Sequence, residues 1–151
     1  MKIHTLIQSQ EVPISLSESW EFFSKPENLN EITPPDLEFR ITSGKPEPMH
    51  DGQIVTYKIR VAPMIWNTWV TEIKGVIPEK QFIDEQRSGP YKFWHHLHEF
   101  EKTENGTLIK DKVNYSLPFG LFGNIAHSIY VKKKLTEIFS YRKKILTERF
   151  G

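Results

Sequence analysis

Two histidines, His96 and His98, stand two residues apart in Trp94-His-His-Leu-His-Glu-Phe100. On a strand that spacing puts both rings on one face and turns His95 outward. Asp84 and Asp111 fall in neighbouring alternating runs with the same facing. Imidazoles and carboxylates gathered on one face can do three things. They can hold a metal ion, with Asp84 or Asp111 as third ligand. The spacing marks no definite third ligand, so an ordinary hydrogen-bonded pair, without metal or cofactor, is the expectation. They can move protons, with His98 as general base and Asp111 orienting it. His96, Tyr115 or Tyr57 would then donate to an oxyanion growing beside a carbonyl. Lastly, they can fix the polar head of a bound molecule.

Other chemistries lack their signatures. There is no cysteine, which excludes disulfides and thiolate metal sites. No nucleophile-elbow serine or phosphate-cradling glycine loop appears. Aromatic and basic residues do not interleave as RNA binding requires. The net charge of +1 gives no field for a nucleic-acid partner. Residues 131–149 hold seven Lys or Arg against two Glu, read here as the solvated face of a helix. The N-terminus lacks the apolar core of a signal peptide, and no stretch approaches the ~18 apolar residues of a membrane span. The expectation is one cytoplasmic domain covering 1–151, with nothing that sets its oligomeric state.

The elements that must position these groups follow from periodicity. Residues 2–12 read as a first strand. Ser15-Leu-Ser-Glu18 matches a capping box opening a helix that carries Trp20, Phe22 and Phe23. Ser24-Lys-Pro26 ends it, and a short second helix over about 26–32 stops at Thr33-Pro-Pro35. From Leu37 the period becomes two, through Leu37–Thr42, Val55–Val61, Trp69–Lys74, Phe82–Arg87, Trp94–Glu101 and Thr107–Tyr115. Pro63, Gly89-Pro90 and Asn105-Gly106 mark turns, the last a tight hairpin. About seven strands joined by short turns make an antiparallel meander. Apolar residues at three- and four-residue steps, Phe139 among them, make 121–149 one long helix.

One helix about 10–12 Å wide covers only two or three strands spaced ~4.8 Å apart. Seven strands must therefore curl around it, leaving a gap. The inward positions include Tyr57, Trp69, Thr71, Asp84, Gln86, Trp94, His96, His98, Asp111 and Tyr115. So many polar groups in a dry core would cost about 1–3 kcal/mol each if unpaired. An apolar cavity with a few convergent polar groups is the default signature of a ligand site. Phe119 and Phe122, in Leu117-Pro-Phe-Gly-Leu-Phe-Gly123, and Trp66 would form its mouth, hinged at Gly120 and Gly123. Exposed aromatics beside the basic helix would also give a transient membrane contact.

The same residues carry a likeness. Pro26-Glu-Asn-Leu29, Ile32-Thr-Pro-Pro35, Phe82-Ile-Asp84, Gly89-Pro90, Trp94–Phe100, Asp111–Pro118 and Ile138-Phe-Ser-Tyr141-Arg142 resemble the SRPBCC superfamily. That superfamily takes in START domains, polyketide cyclases and the birch-pollen allergens. Within it the chain is similar to a bacterial group labelled cell-division inhibitor or polyketide cyclase-like. The resemblance implies an α+β helix-grip fold, with a curved antiparallel sheet around a long C-terminal helix and a cavity between them. It implies a lipid, quinone or polyketide-like ligand, and it implies no particular reaction. A carrier is the first functional reading. An enzyme using His98 and Asp111 is the second, and a protein-interaction module the third.

Overall fold

A computed structural model describes residues 1–62 and 64–151, without the side chains of 61, 62 and 128. The turn expected at Pro63 lies outside the described residues. Seven strands form one antiparallel sheet: β1 (His4–Val12), β2 (Arg40–Ile41), β3 (Ile54–Ala62), β4 (Ile65–Ile77), β5 (Gln81–Ser88), β6 (Phe93–Lys102) and β7 (Thr107–Ser116). Their order is β1-β7-β6-β5-β4-β3-β2, a meander closed at one edge by the first strand. Alternate residues of β6 and β7 are buried, as the period of two requires.

Helix α1 (Leu16–Phe23) opens on the expected box. The Glu18 N–H donates to Ser15 Oγ at 3.2 Å, and the Ser15 N–H donates to the Glu18 carboxylate at 2.9 Å. The second helix, Pro26–Ile32, is a 3-10 helix, with the Thr33 hydroxyl donating to the Leu29 carbonyl at 2.6 Å. The strand expected from Leu37 is shorter than its alternation. Pro35–Leu37 make a 3-10 turn, Glu38 takes a left-handed backbone (φ 44°), and only Arg40–Ile41 pair with β3. Leu37 and Phe39 are buried all the same, so the alternation reported their burial and not their hydrogen bonding.

The C-terminal segment departs from a single regular helix. Helix α2 (Gly120–Ala126) passes through a π-helical turn, His127–Val131, into α3 (Lys132–Phe150). At the start of that turn the His127 ring stacks on His4 at 3.5 Å, and its Nε2 lies 2.7 Å from the Tyr115 hydroxyl. Helix α3 buries Leu135, Phe139, Arg142 and Leu146 in one stripe at helical spacing. Leu135 and Phe139 join Tyr57, Trp69, Trp94 and Val113 in one apolar cluster. Leu146 joins Val12, Phe22, Phe82, Phe100 and Ile109 in a second. Arg142 sits between them.

The β6–β7 connection is a four-residue loop, since pairing ends at Lys102–Thr107 and the Thr103 N–H donates to the Gly106 carbonyl at 2.9 Å. This replaces the two-residue turn expected at Asn105-Gly106. The glycine is required for another reason: a Cβ there would stand 2.1 Å from the Val12 carbonyl oxygen, which is backbone and cannot swing away. Gly106→Ala should therefore lower stability by about 1–3 kcal/mol in urea denaturation. An unchanged midpoint would show that β1 and the loop separate freely.

Candidate functional site

The meander places the four acid and imidazole groups side by side. Asp84 on β5 lies opposite His96 on β6, and His98 lies opposite Asp111 on β7. All four point inward, and Arg142 reaches them from α3. The short contacts run crosswise, however. His98 Nε2 is 2.6 Å from Asp84 Oδ2, and His96 Nε2 is 2.7 Å from Asp111 Oδ1. The remaining ring nitrogens face the other carboxylate, each at 3.3 Å. The His98–Asp111 pairing expected from sequence is thus the longer contact. Trp94 Nε1–H donates to Asp84 Oδ1 at 3.0 Å, and Arg142 Nη1 donates to Asp111 Oδ1 at 3.2 Å. The two imidazoles stack 3.7 Å apart, with Phe82 against the outer face of His98.

Electrostatics follow from this box. Burial opposes a charge on His96, but the pull of Asp84 and the hydrogen bonds to Asp111 and Asp84 outweigh it and raise its pKa to about 9. Burial also opposes ionisation of Asp111, yet the Arg142 charge and both histidines hold it well below the ordinary carboxylate range. Asp84 is likewise held low, as the two histidines overcome its desolvation. Each imidazole nitrogen faces a carboxylate, so neither ring offers a free lone pair for proton abstraction.

Asp84, His96 and His98 bring three ligand atoms within 4.8 Å of one another, the one such group among the described residues. The ring planes are only 27° apart and stacked face to face. A cation in the plane of one ring would lie well out of the plane of the other. Taking up a metal therefore requires a ring to turn.

The box forms one wall of a cavity of about 730 Å³ between the sheet, α3, the 3-10 helix and α2. Tyr57, Trp69, Asp84, Trp94, His96, His98 and Phe139 line it, and Phe119 and Phe122 stand at its rim. Three expected ligand-binding residues do not line it. Asp111 lies behind His96. Gln86 exchanges two hydrogen bonds with the Tyr91 backbone, at 2.7 and 3.0 Å, and so fixes the turn after β5. The Tyr115 hydroxyl is engaged by His127. Sequence reasoning missed Arg142, Tyr91 and Lys134, whose ammonium reaches Asp36 at 2.7 Å while its stem lines the cavity. The signal for Arg142 was present: a basic residue three after Phe139 and four before Leu146, on the inward stripe. Of the seven basic residues in 131–149, Arg142, Lys134 and Arg149 are spent on contacts to Asp111, Asp36 and Glu31. The solvated-face reading holds for the others.

A curved seven-stranded antiparallel sheet gripping a long C-terminal helix defines the helix-grip class of α+β domains. More particularly, the chain has the fold of the SRPBCC superfamily. No family model and no curated protein matches the sequence. Solved structures do match in fold. A START superfamily protein from Mycobacterium smegmatis aligns at TM-score 0.72 and 13% identity, over 97% of both chains. A major latex-like protein from Panax ginseng aligns at TM-score 0.70 and 13% identity, over 99% of this chain and 98% of that one. A protein from Corynebacterium glutamicum described as a nucleoside-diphosphate sugar epimerase aligns at TM-score 0.69 and 23% identity, over 95% of this chain. This chain spans 28% of that protein's length.

The charge box gives stability a definite pH dependence. His96 binds its proton more tightly when folded. Its contribution is therefore complete below its ordinary value of 6.5 and is lost as pH rises through about 9. Asp84 and Asp111 contribute above their ordinary value of 3.8, and that contribution is lost on acidification. Urea denaturation should show a maximum between about pH 4 and 6.5, then a fall of about 3 kcal/mol by pH 10. His96→Asn should remove most of that alkaline fall. A wild-type curve flat from pH 6.5 to 10 would mean that His96 is neutral in the folded chain.

Proposed function

We propose that this chain is a binding protein, a single cytoplasmic domain that encloses an apolar small molecule of lipid, quinone or polyketide type. The observation that carries the reading is the half-hollow interior. The Phe22–Phe82–Phe100 cluster packs one end of the sheet, and its Phe22 and Phe82 close off about 730 Å³ of space walled mainly by aromatic and aliphatic side chains. A ligand burying ~400 Å² of apolar surface there gains about 10 kcal/mol gross, before ordering costs. The Asp84 carboxylate at the Asp84–His96–His98 edge gives a ligand hydroxyl one place to donate, which sets its orientation.

The enzyme reading fits less well. Its base would be His98, oriented by Asp111, but both His98 nitrogens face carboxylates and Asp111 does not line the cavity. Binding needs neither group to let go of its partners.

Native mass spectrometry of the protein from its own host should find a co-purifying small molecule. In vitro, a fluorescent long-chain fatty acid should bind with enhanced emission, and at a hundredfold excess over Kd it should add about 2.7 kcal/mol of stability. Ile138→Trp, which projects new bulk from α3 into the cavity, should abolish both effects while leaving circular dichroism unchanged. If the probe binds this variant as tightly as wild type, the cavity is not where it binds.

A further inference from the structure

At one end of the molecule the cavity's apolar lining continues onto the outside. Because neighbouring strands are antiparallel, the start of β4, the end of β5, the start of β6, the end of β7 and the start of β1 share that end. Helix α2 follows β7 after three residues. Phe119, Leu121, Phe122 and Ile129 of the α2 segment are each more than 70% exposed. Met64, and Ile65 and Trp66 at the start of β4, are exposed as well. Leu121, Ile125 and Ile129 succeed one another at four-residue steps and do not line the cavity, so their exposure is not explained by a ligand inside it.

Charge around this apolar rim is mainly basic. The stretches 1–10, 86–98 and 112–136, parts of which build that end, hold seven Lys or Arg and no Asp or Glu, with Arg87 paired to Glu72 and Lys134 to Asp36 and the other five left to the surface. Lys2 and Lys92 border a shallow depression with Leu121 and Gly120. Lys132 lies close enough to His127 to depress its pKa, after burial and His4. Elsewhere the sheet pairs its charges, as Lys74 does with Glu72 and Glu85, and Lys110 with Glu101.

We infer that this rim is a docking face for an anionic lipid bilayer. Standing aromatic and aliphatic side chains surrounded by lysines match the two layers of such a surface. The apolar groups enter the acyl boundary, and the ammonium groups stay among the phosphates. A protein groove would have to supply a wholly acidic, apolar-floored partner, which is the rarer chemistry. The inference goes beyond the proposed cavity function, and its test uses no cavity ligand.

The whole chain is sedimented with vesicles of phosphatidylcholine alone, or of phosphatidylcholine with about 30% phosphatidylglycerol. Binding is expected to the anionic vesicles, falling steeply between 50 mM and 0.5 M salt. The double variant Leu121→Ser, Ile129→Ser should release it, although both substitutions lie outside the cavity. Lys2→Gln, Lys132→Gln and Lys133→Gln should each weaken it about fivefold. Circular dichroism confirms that the variants are folded, and the fatty-acid probe reports the cavity separately. Three results would each overturn the inference: no binding to anionic vesicles, equal binding by wild type and the serine double variant, or a lipid-free oligomer that this variant converts to monomer in analytical ultracentrifugation.

Discussion

The interior of this protein is organised around a charge that has nowhere else to go. Arg142 lies on the buried stripe of α3, one turn from Phe139 and one from Leu146, and meets Asp111 on the sheet. Either charge alone in that place would cost several kcal/mol, so each requires the other. Asp111 also accepts from His96 and faces His98, and both rings also face Asp84. A sliding helix would break this chain of contacts at Arg142 first. Buried ion pairs add little net stability compared with well-packed apolar residues, but they discriminate between registers. Here the register in question is that of the long helix against a sheet too wide for it to cover.

That register decides where the interior is solid. Beyond Arg142, Leu146 closes against the Phe22 and Phe82 cluster, helped by Trp20 packed edge-on to both Phe82 and Phe100. On the other side Leu135 and Phe139 leave room between α3 and β3–β6. The polar box is therefore one wall of that cavity, whose other end is closed by Phe22, Ile32 and Phe82 of the packed cluster. A group exposed to that cavity is held by partners that are themselves buried, which keeps the wall rigid.

Much of this was legible in the chain. Period-two runs located β3 to β7 and assigned the inward side correctly, because one face of the sheet is buried and the other charged. The Ser15–Glu18 box located α1. What escaped had local causes that periodicity does not record. Glu38 breaks a run that still buries Leu37 and Phe39. The 26–32 segment tightened to a 3-10 helix. Gly106 is needed because of a carbonyl ninety-four residues earlier in the chain. Within the site, alternation chose the right face for Asp84, His96, His98 and Asp111 but paired His98 straight across with Asp111, where the shortest contacts run diagonally. Gln86 and Tyr115 faced inward as expected and spent their polar atoms on Tyr91 and His127. Arg142 was hidden by its company, counted among the surface cations of a basic helix.

The π-helical turn at His127–Val131 makes the C-terminal helix two rods out of phase. Each residue of an α-helix advances the side-chain direction by roughly 100°. A wide turn absorbs one residue beyond the regular repeat, so it rotates everything before it by about that angle relative to α3. The aim of α2 is thus set by one residue of chain length, while α3, anchored by Arg142, keeps its own aim. Loss or gain of a single residue between 127 and 131 would swing the rim of the cavity while leaving the wall built by the sheet and α3 in place. In a lineage of such chains, the entrance could change its facing in one genetic step while the floor stayed as it was.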